Sequence, residues 1–384
     1  GASLLAAYSP SAWTLVVGRA FLGCSAAIMM PSSLALIRLT FPDEVERNTA
    51  IGIWGSVAVI GAAAGPTVGG FFLEHFWWGS VFLINVPVAL AALVLTALLA
   101  PPNRPNPGKH FDIASSFYAL VALAGLTLGI KEAANPGASG ALVAAALAVA
   151  LAGGLVFARR QRRLGDPLLT LDIFRSRIFT GGVLAAAGSM FVVAGTELQT
   201  TQKLQLVDAF SPLGAGLAVA TMAIAAFPAS VLGGANLHRV GFLPLVAGGF
   251  AGAALGAAML AGAAAATSLP LEIAALAVIG FAGGAVMSVS SIAIIEAAPL
   301  HRSGMAAGVE EVSYEFGTLI TVAVTSSLFG RWMAENLEYQ PYANAYAGAY
   351  NGVLTVLAAA SLGLSLTTAW CFRGNPKSGR EAVR

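Results

Sequence analysis

The sequence predicts an all-α polytopic membrane protein, and three observations lead there. Apolar runs long enough to cross a bilayer recur along the whole chain, basic residues gather on alternate connections between them, and charge is scarce elsewhere. Hydrophobic residues make up 57% of the 384 positions and charged residues only 10%, and the mean hydropathy is +0.80. These values exclude an ordinary soluble domain. The 44 glycines suit helices that pack closely inside a membrane, where small residues let backbones approach. A net charge of +2 gives no footing for nucleic-acid binding. Cys24 and Cys371 lie in separate apolar segments and are expected as free thiols.

Taken in order, Gly1–Tyr8 reads as the tail of an apolar helix. No basic stretch or cleavage site precedes it, so the chain is expected to begin inside a larger protein, a processed or naturally short form being the alternative. Spans follow near Trp13–Leu39, Thr49–Leu73, Val81–Ala100, Ser115–Ile130, Ala138–Phe157, Phe179–Thr200 and Gly214–Ala235. Four more follow near Leu243–Ala266, Leu269–Ala297, Gly304–Leu328 and Ala347–Phe372. The expectation is therefore about eleven complete transmembrane helices plus a partial one.

One set of connections holds Arg38, Arg47, Arg104, Lys109, Arg159, Arg160, Arg162, Arg163, Arg175, Arg177, Arg239, Arg302 and the basic tail from Arg373. The other set holds only Lys131, Lys203 and Arg331. The positive-inside rule places the first set, and the C-terminus, in the cytoplasm. Pro101–His110 reads as a linker, and Leu168–Phe174 as a short piece on the membrane surface. The two spans between these stretches are nearly free of polar residues and read as spacers without chemistry.

Chemistry concentrates in Gly304–Gly330, which carries Glu310, Glu311 and Glu315. A carboxylate at the centre of a span is opposed by about 2.5–3.5 kcal/mol, so the three acids are expected to face protein or water. Glu311 and Glu315 share a helix face, and Glu310 is turned about 100° from Glu311. The acids read as a proton or cation site, or else as an interfacial cluster that locks a neighbouring helix. Burial disfavours a charged carboxylate and like charges repel, so one of the Glu311–Glu315 pair is expected to hold a proton.

Arg19 stands inside a span and calls for a carboxylate or backbone carbonyls, unless it snorkels to an interface. Glu197 is either a further acid of the site or solvated surface together with Gln199, Gln202 and Lys203. In GAAAGPTVGG, Gly61, Gly65 and Gly69 recur every four residues beside Pro66 and Gly70. That pattern gives a smooth, bent face for close helix packing. Trp54, Phe191, Phe227 and Trp332 offer rings to a cation, or serve as packing. The four histidines are scattered, and no HExxH, phosphate-binding glycine loop or nucleophile elbow occurs. An enzyme is not expected, nor a metal or nucleotide site.

Four motifs in order carry a resemblance. Arg19, Gly23 and Pro31 in RAFLGCSAAIMMP resemble the fourth-helix motif of the major facilitator superfamily. GAAAGPTVGG is similar to the fifth-helix motif of its drug:proton antiporters, and HFWWGSVFLINVP resembles the sixth-helix start of the fourteen-helix EmrB/QacA branch. VEEVSYEFG resembles the thirteenth-helix acidic motif of QacA/SmvA-type exporters of quaternary ammonium compounds and methyl viologen. The resemblance implies a helical bundle in which 1–100 is the remainder of the N-terminal half, 101–165 a linker with two inserted helices, and 166–384 the C-terminal half. It further implies efflux of hydrophobic organic cations across the inner (plasma) membrane, driven by the proton gradient with no cofactor. The first two helices of the pattern are absent, and with them the acid expected to face Arg19. A transporter of other small solutes and a non-transporting membrane remnant are the rival expectations, and the oligomeric state is not readable from the sequence.

Overall fold

The computed structural model describes residues 1–41, 43, 46, 50, 61, 65, 67–100, 112–135, 137–165, 167–298 and 302–373. Pro66, Trp54, the linker Pro101–His110 and the basic tail lie outside these residues, as does the side chain of Pro31. Ten helices among the described residues are long and apolar enough to cross a membrane. The eleventh expected span, Thr49–Leu73, falls largely outside them. The chain is an all-α polytopic membrane protein that divides into two compact units, 1–109 with 209–220, and 110–208 with 221–384.

The first unit holds α1 (Ala2–Ala7), α2 (Ala12–Thr40), a helical stretch at 67–75, α3 (Ser80–Leu83) and α4 (Asn85–Leu99). It also takes in the first turns of α8 (Pro212–Val240). Ser11 caps α2 by accepting from the Thr14 N–H at 3.2 Å, which satisfies an otherwise orphaned donor. The short α1 is packed: Ala6 and Ala7 are buried, and Gly18 of α2 lies so close that an added Cβ would stand 3.0 Å from the Ala6 nitrogen.

The glycine face is described only in part. Among the described residues nothing stands where a Cβ would be at Gly61, Gly65 or Gly69. The close approach falls instead on the neighbouring Gly70, where a Cβ would meet the Pro212 carbonyl oxygen at 2.7 Å. The reason is local geometry: the face that holds Gly70 meets the start of α8, where Glu74 also accepts from the Leu213 N–H at 3.4 Å.

The second unit opens with the hairpin α5 (Ile113–Ala133) and α6 (Gly140–Gln161). Gly125 packs on the backbone of Ala150, and Gly153 on that of Ala122, so the helices meet through small residues. Asp112 caps α5 through the Ser115 N–H and pairs with Arg160, each at 3.0 Å. The hydrogen bonds from Ser115, followed by those from Arg160, hold the Asp112 carboxyl down from the usual 3.8 to about 2. Its contribution to the clamp is therefore complete above pH 3.8 and is lost as the pH falls toward 2.

Six further helices complete this unit: α7 (Arg177–Leu206), α8 from Thr221 onward, α9 (Phe242–Ala265), α10 (Leu269–Glu296), α11 (Ser303–Leu337) and α12 (Tyr342–Phe372). Lipid offers apolar side chains no less apolar contact than protein does, so association depends on close fit and buried polar links. Gly280 and Gly284 of α10 accordingly abut the Met222 and Ala226 carbonyls of α8, and Gly317 of α11 abuts Ala187 of α7. Tyr350, Phe250, Leu260, Ile279 and Leu357 fill the centre.

The basic connections of this unit converge at one end. There Arg302 pairs with Asp172 at 3.2 Å, Arg177 lies over Trp370, and Phe242 stacks on Phe372.

Candidate functional site

The candidate site is built on α11, whose faces are separated by what each side chain meets. Gly317, Thr321 and Thr325 recur every four residues and are buried. Gly317 meets α7 at Ala187, and Thr325 accepts from Gln199 Nε2 at 3.3 Å. Turned toward α10, Tyr314 places its hydroxyl 3.1 Å from Glu310 Oε1 and 3.3 Å from the Met287 carbonyl oxygen. Glu310 is thereby half-buried and hydrogen-bonded within the bundle.

Glu311 and Glu315 are exposed on a third face. Neither has a cationic side chain within ion-pairing distance among the described residues. The one-residue rotation thus separates a bonded acid from an unpaired pair of acids.

Beside Glu315 lies a cavity of about 480 Å³. One wall is α11, with Glu315, Thr318, Val322 and Ser326; the other carries Lys131 of α5 and Asn135 just beyond it. The volume and the mixture of aliphatic, hydroxyl and carboxylate groups suit a small amphipathic ion. The α5–α6 hairpin, which reads in sequence as a spacer, therefore contributes a charge and an amide to the cavity. A lone lysine at the end of an apolar span was its sequence signal.

The remaining candidates fall elsewhere. Glu197 of α7 is half-buried and has no hydrogen-bond or ion-pair partner among the described residues. Of its expected solvated companions two are buried: Gln199 is 0% exposed, and Lys203, 9% exposed, pairs with Asp208 at 2.8 Å and with the buried Glu272, while Gln202 is half-buried. Thr200 and Tyr350 share a hydrogen bond of 2.9 Å in the same unit. This buried ion group was missed because Lys203 and Glu272 are far apart in sequence and each sits near a span end, where a charge is ordinarily solvated. Arg19 lies in the first unit, with its guanidinium 5.9 Å from the centre of the Phe82 ring. Gly23, one turn on, has open space around it among the described residues. Phe191 and Trp332 pack against the hydrophobic core, and Phe227 is exposed.

Comparison with known proteins gives a consistent family. The profile of the Major Facilitator Superfamily matches residues 1–207. The multidrug efflux pump LfrA of Mycolicibacterium smegmatis is 37% identical over 88% of this chain and 66% of its own length. The methyl viologen resistance protein SmvA of Salmonella typhimurium is 34% identical over 86% and 67%. The multidrug resistance protein Stp of Mycobacterium tuberculosis is 29% identical over 88% and 62%. The chain thus spans about two thirds of the length of these curated relatives. Among solved structures, an auto-inhibited POT family peptide transporter superposes with a TM-score of 0.63 at 15% identity, covering 99% of this chain and 83% of that one. That likeness concerns the fold alone.

Proposed function

Because the chain belongs to the Major Facilitator Superfamily, a family of transporters and not of enzymes, we propose that it is part of an antiporter that exports hydrophobic organic cations in exchange for protons. The observation that carries this reading is the exposed Glu311–Glu315 face of α11, without an ion-pair partner among the described residues, with Glu315 on a cavity of about 480 Å³. Two carboxyls on one face repel each other when both are charged, so a proton on one of them relieves the site. An entering organic cation makes full ionisation favourable and expels that proton. Protons from the other side later displace the cation. One site used in turn by the two ions couples their movements without a cofactor. The printed names of LfrA, SmvA and Stp, which concern multidrug and methyl viologen resistance, favour this substrate class.

The same reading puts the protein in the inner (plasma) membrane with the basic end of the second unit, and hence the C-terminus, in the cytoplasm, an orientation that the positive-inside rule supports. Glu197 and Arg19 are assigned supporting roles along the proton path, each being an ionisable group within a span.

A substrate-charge series tests the reading. Efflux of matched neutral, anionic, monocationic and dicationic dyes is measured from cells expressing the intact protein, with and without a proton gradient. Only the cations are expected to leave, and only while the gradient stands. Equal export of the neutral or anionic dye, or export that persists after the gradient collapses, contradicts it.

A further inference from the structure

We propose that the α5–α6 hairpin forms the second wall of the transport site and that Lys131 is its charge-selecting residue. This rests on the reading of α11 as a cation site and adds to it the control of how much substrate charge the site admits.

Three observations converge. Lys131 and Asn135 line the same cavity as Glu315, Thr318 and Ser326. Lys131 has no hydrogen bond or ion pair among the described residues, whereas the adjacent Glu132 is engaged, accepting from the Ser139 N–H at 3.0 Å. The ammonium therefore forms no ion pair within its own element among the described residues. Finally, the hairpin is tied toward α11 at its other end. Gln161 donates to Ser115 at 2.8 Å and accepts from the Leu169 N–H at 3.2 Å. One residue on, Thr170 accepts from Arg302 at 3.0 Å, and its N–H lies 3.3 Å from Met305 Sδ, at the start of α11. A wall tied at that end and lining the cavity at the other sets Lys131 opposite Glu315.

The consequence follows from charge. A substrate cation in the cavity is drawn by Glu315 and opposed by Lys131. That opposition is nil for a neutral molecule, single for a monocation and double for a dication. Across about 10 Å at an effective dielectric near 20, one unit charge changes the affinity of a monocation on the order of tenfold and that of a dication on the order of a hundredfold. Lys131 thus sets the site against dications while Glu315 and Glu311 set it for cations.

Equilibrium binding of matched neutral, mono- and dicationic dyes to the purified intact protein tests this in wild type, Lys131→Gln, Lys131→Arg and Glu315→Gln. Lys131→Gln is expected to tighten the monocation about tenfold and the dication about a hundredfold, leaving the neutral dye unchanged. Lys131→Arg is expected to match wild type. Cysteines at Asn135 and Ser326, in a background without Cys24 and Cys371, are expected to be joined by a short bifunctional thiol reagent, more slowly with monocation bound. This readout stands even if Lys131→Gln proves unstable. Cation binding lost in Glu315→Gln, with an unchanged mono- to dication ratio in Lys131→Gln, overturns the role of Lys131 and leaves the cation site standing. Failure of the cysteines to join overturns the hairpin wall. Absence of cation binding in wild type overturns both readings together.

Discussion

Glu310 and Glu311 are neighbours in sequence and belong to different parts of the protein, because a helix turns about 100° per residue. Glu310 is held by Tyr314 beside α10, and Glu311 stands with Glu315 on the exposed face. Glu311→Gln and Glu315→Gln are therefore expected each to impair export, with dications hit harder than monocations. A dication brings one more charge into low dielectric, and its export against an inside-negative potential costs a further ~2.3 kcal/mol per 100 mV. Glu310→Gln is expected to change thermal stability more than the ratio of mono- to dication efflux. Parallel efflux and melting curves of the three variants check this, and an equal loss for both substrates would mean that the acids only hold structure. Elsewhere, Lys203 is 9% exposed between Asp208 and the 3% exposed Glu272. Removing one partner of a buried pair typically costs about 3–5 kcal/mol, with smaller values common within membranes. Lys203→Met is expected to lower the melting temperature clearly. The double variant with Glu272→Gln should recover much of the loss, and a double variant as unstable as Lys203→Met would refute the pairing.

At the scale of the element, α11 was legible in the sequence as a span with a charged face, because length, hydropathy and the i,i+4 spacing of Glu311 and Glu315 are local properties. What meets each face was not. Gly317 gives no hint in sequence that Ala187 stands against it, and the periodic Gly61, Gly65 and Gly69 promise a contact that among the described residues is made by Gly70. Lys203 and Lys131 look alike as lone basic residues at span ends, yet one is buried in an ion group and the other lines a cavity. Such distinctions depend on which helices come together, which composition does not encode. The contact at Gly317 yields a sharp expectation: a Cβ there would collide with the Ala187 carbonyl. Gly317→Leu is expected to destabilise by roughly 1–3 kcal/mol or more through overpacking and to reduce transport. Gly308→Ala, on the same helix with open space around it among the described residues, is expected to be tolerated. Thermal melts of the two variants in detergent discriminate, and equal melting would mean that α11 and α7 are not closely packed.

For the chain as a whole, the sequence sorts basic residues onto alternate connections, and in the second unit Asp112–Arg160, Asp172–Arg302 and Phe242–Phe372 gather at one basic end. If that end is cytoplasmic, single cysteines at Gly165 and Ser378 are shielded in intact cells from an impermeant thiol reagent, while cysteines at Ala138 and Asn344 are labelled. The reverse pattern would invert the protein in the membrane. If one set of carboxyls on α11 serves proton and substrate in turn, cation binding must displace protons, which is read by following the pH of a weakly buffered solution of the purified intact protein as an organic monocation is added. Proton release is expected in proportion to occupied sites, and it should vanish in the combined Glu311→Gln, Glu315→Gln variant. Saturable cation binding without proton release in wild type, or release undiminished in that variant, would contradict the account.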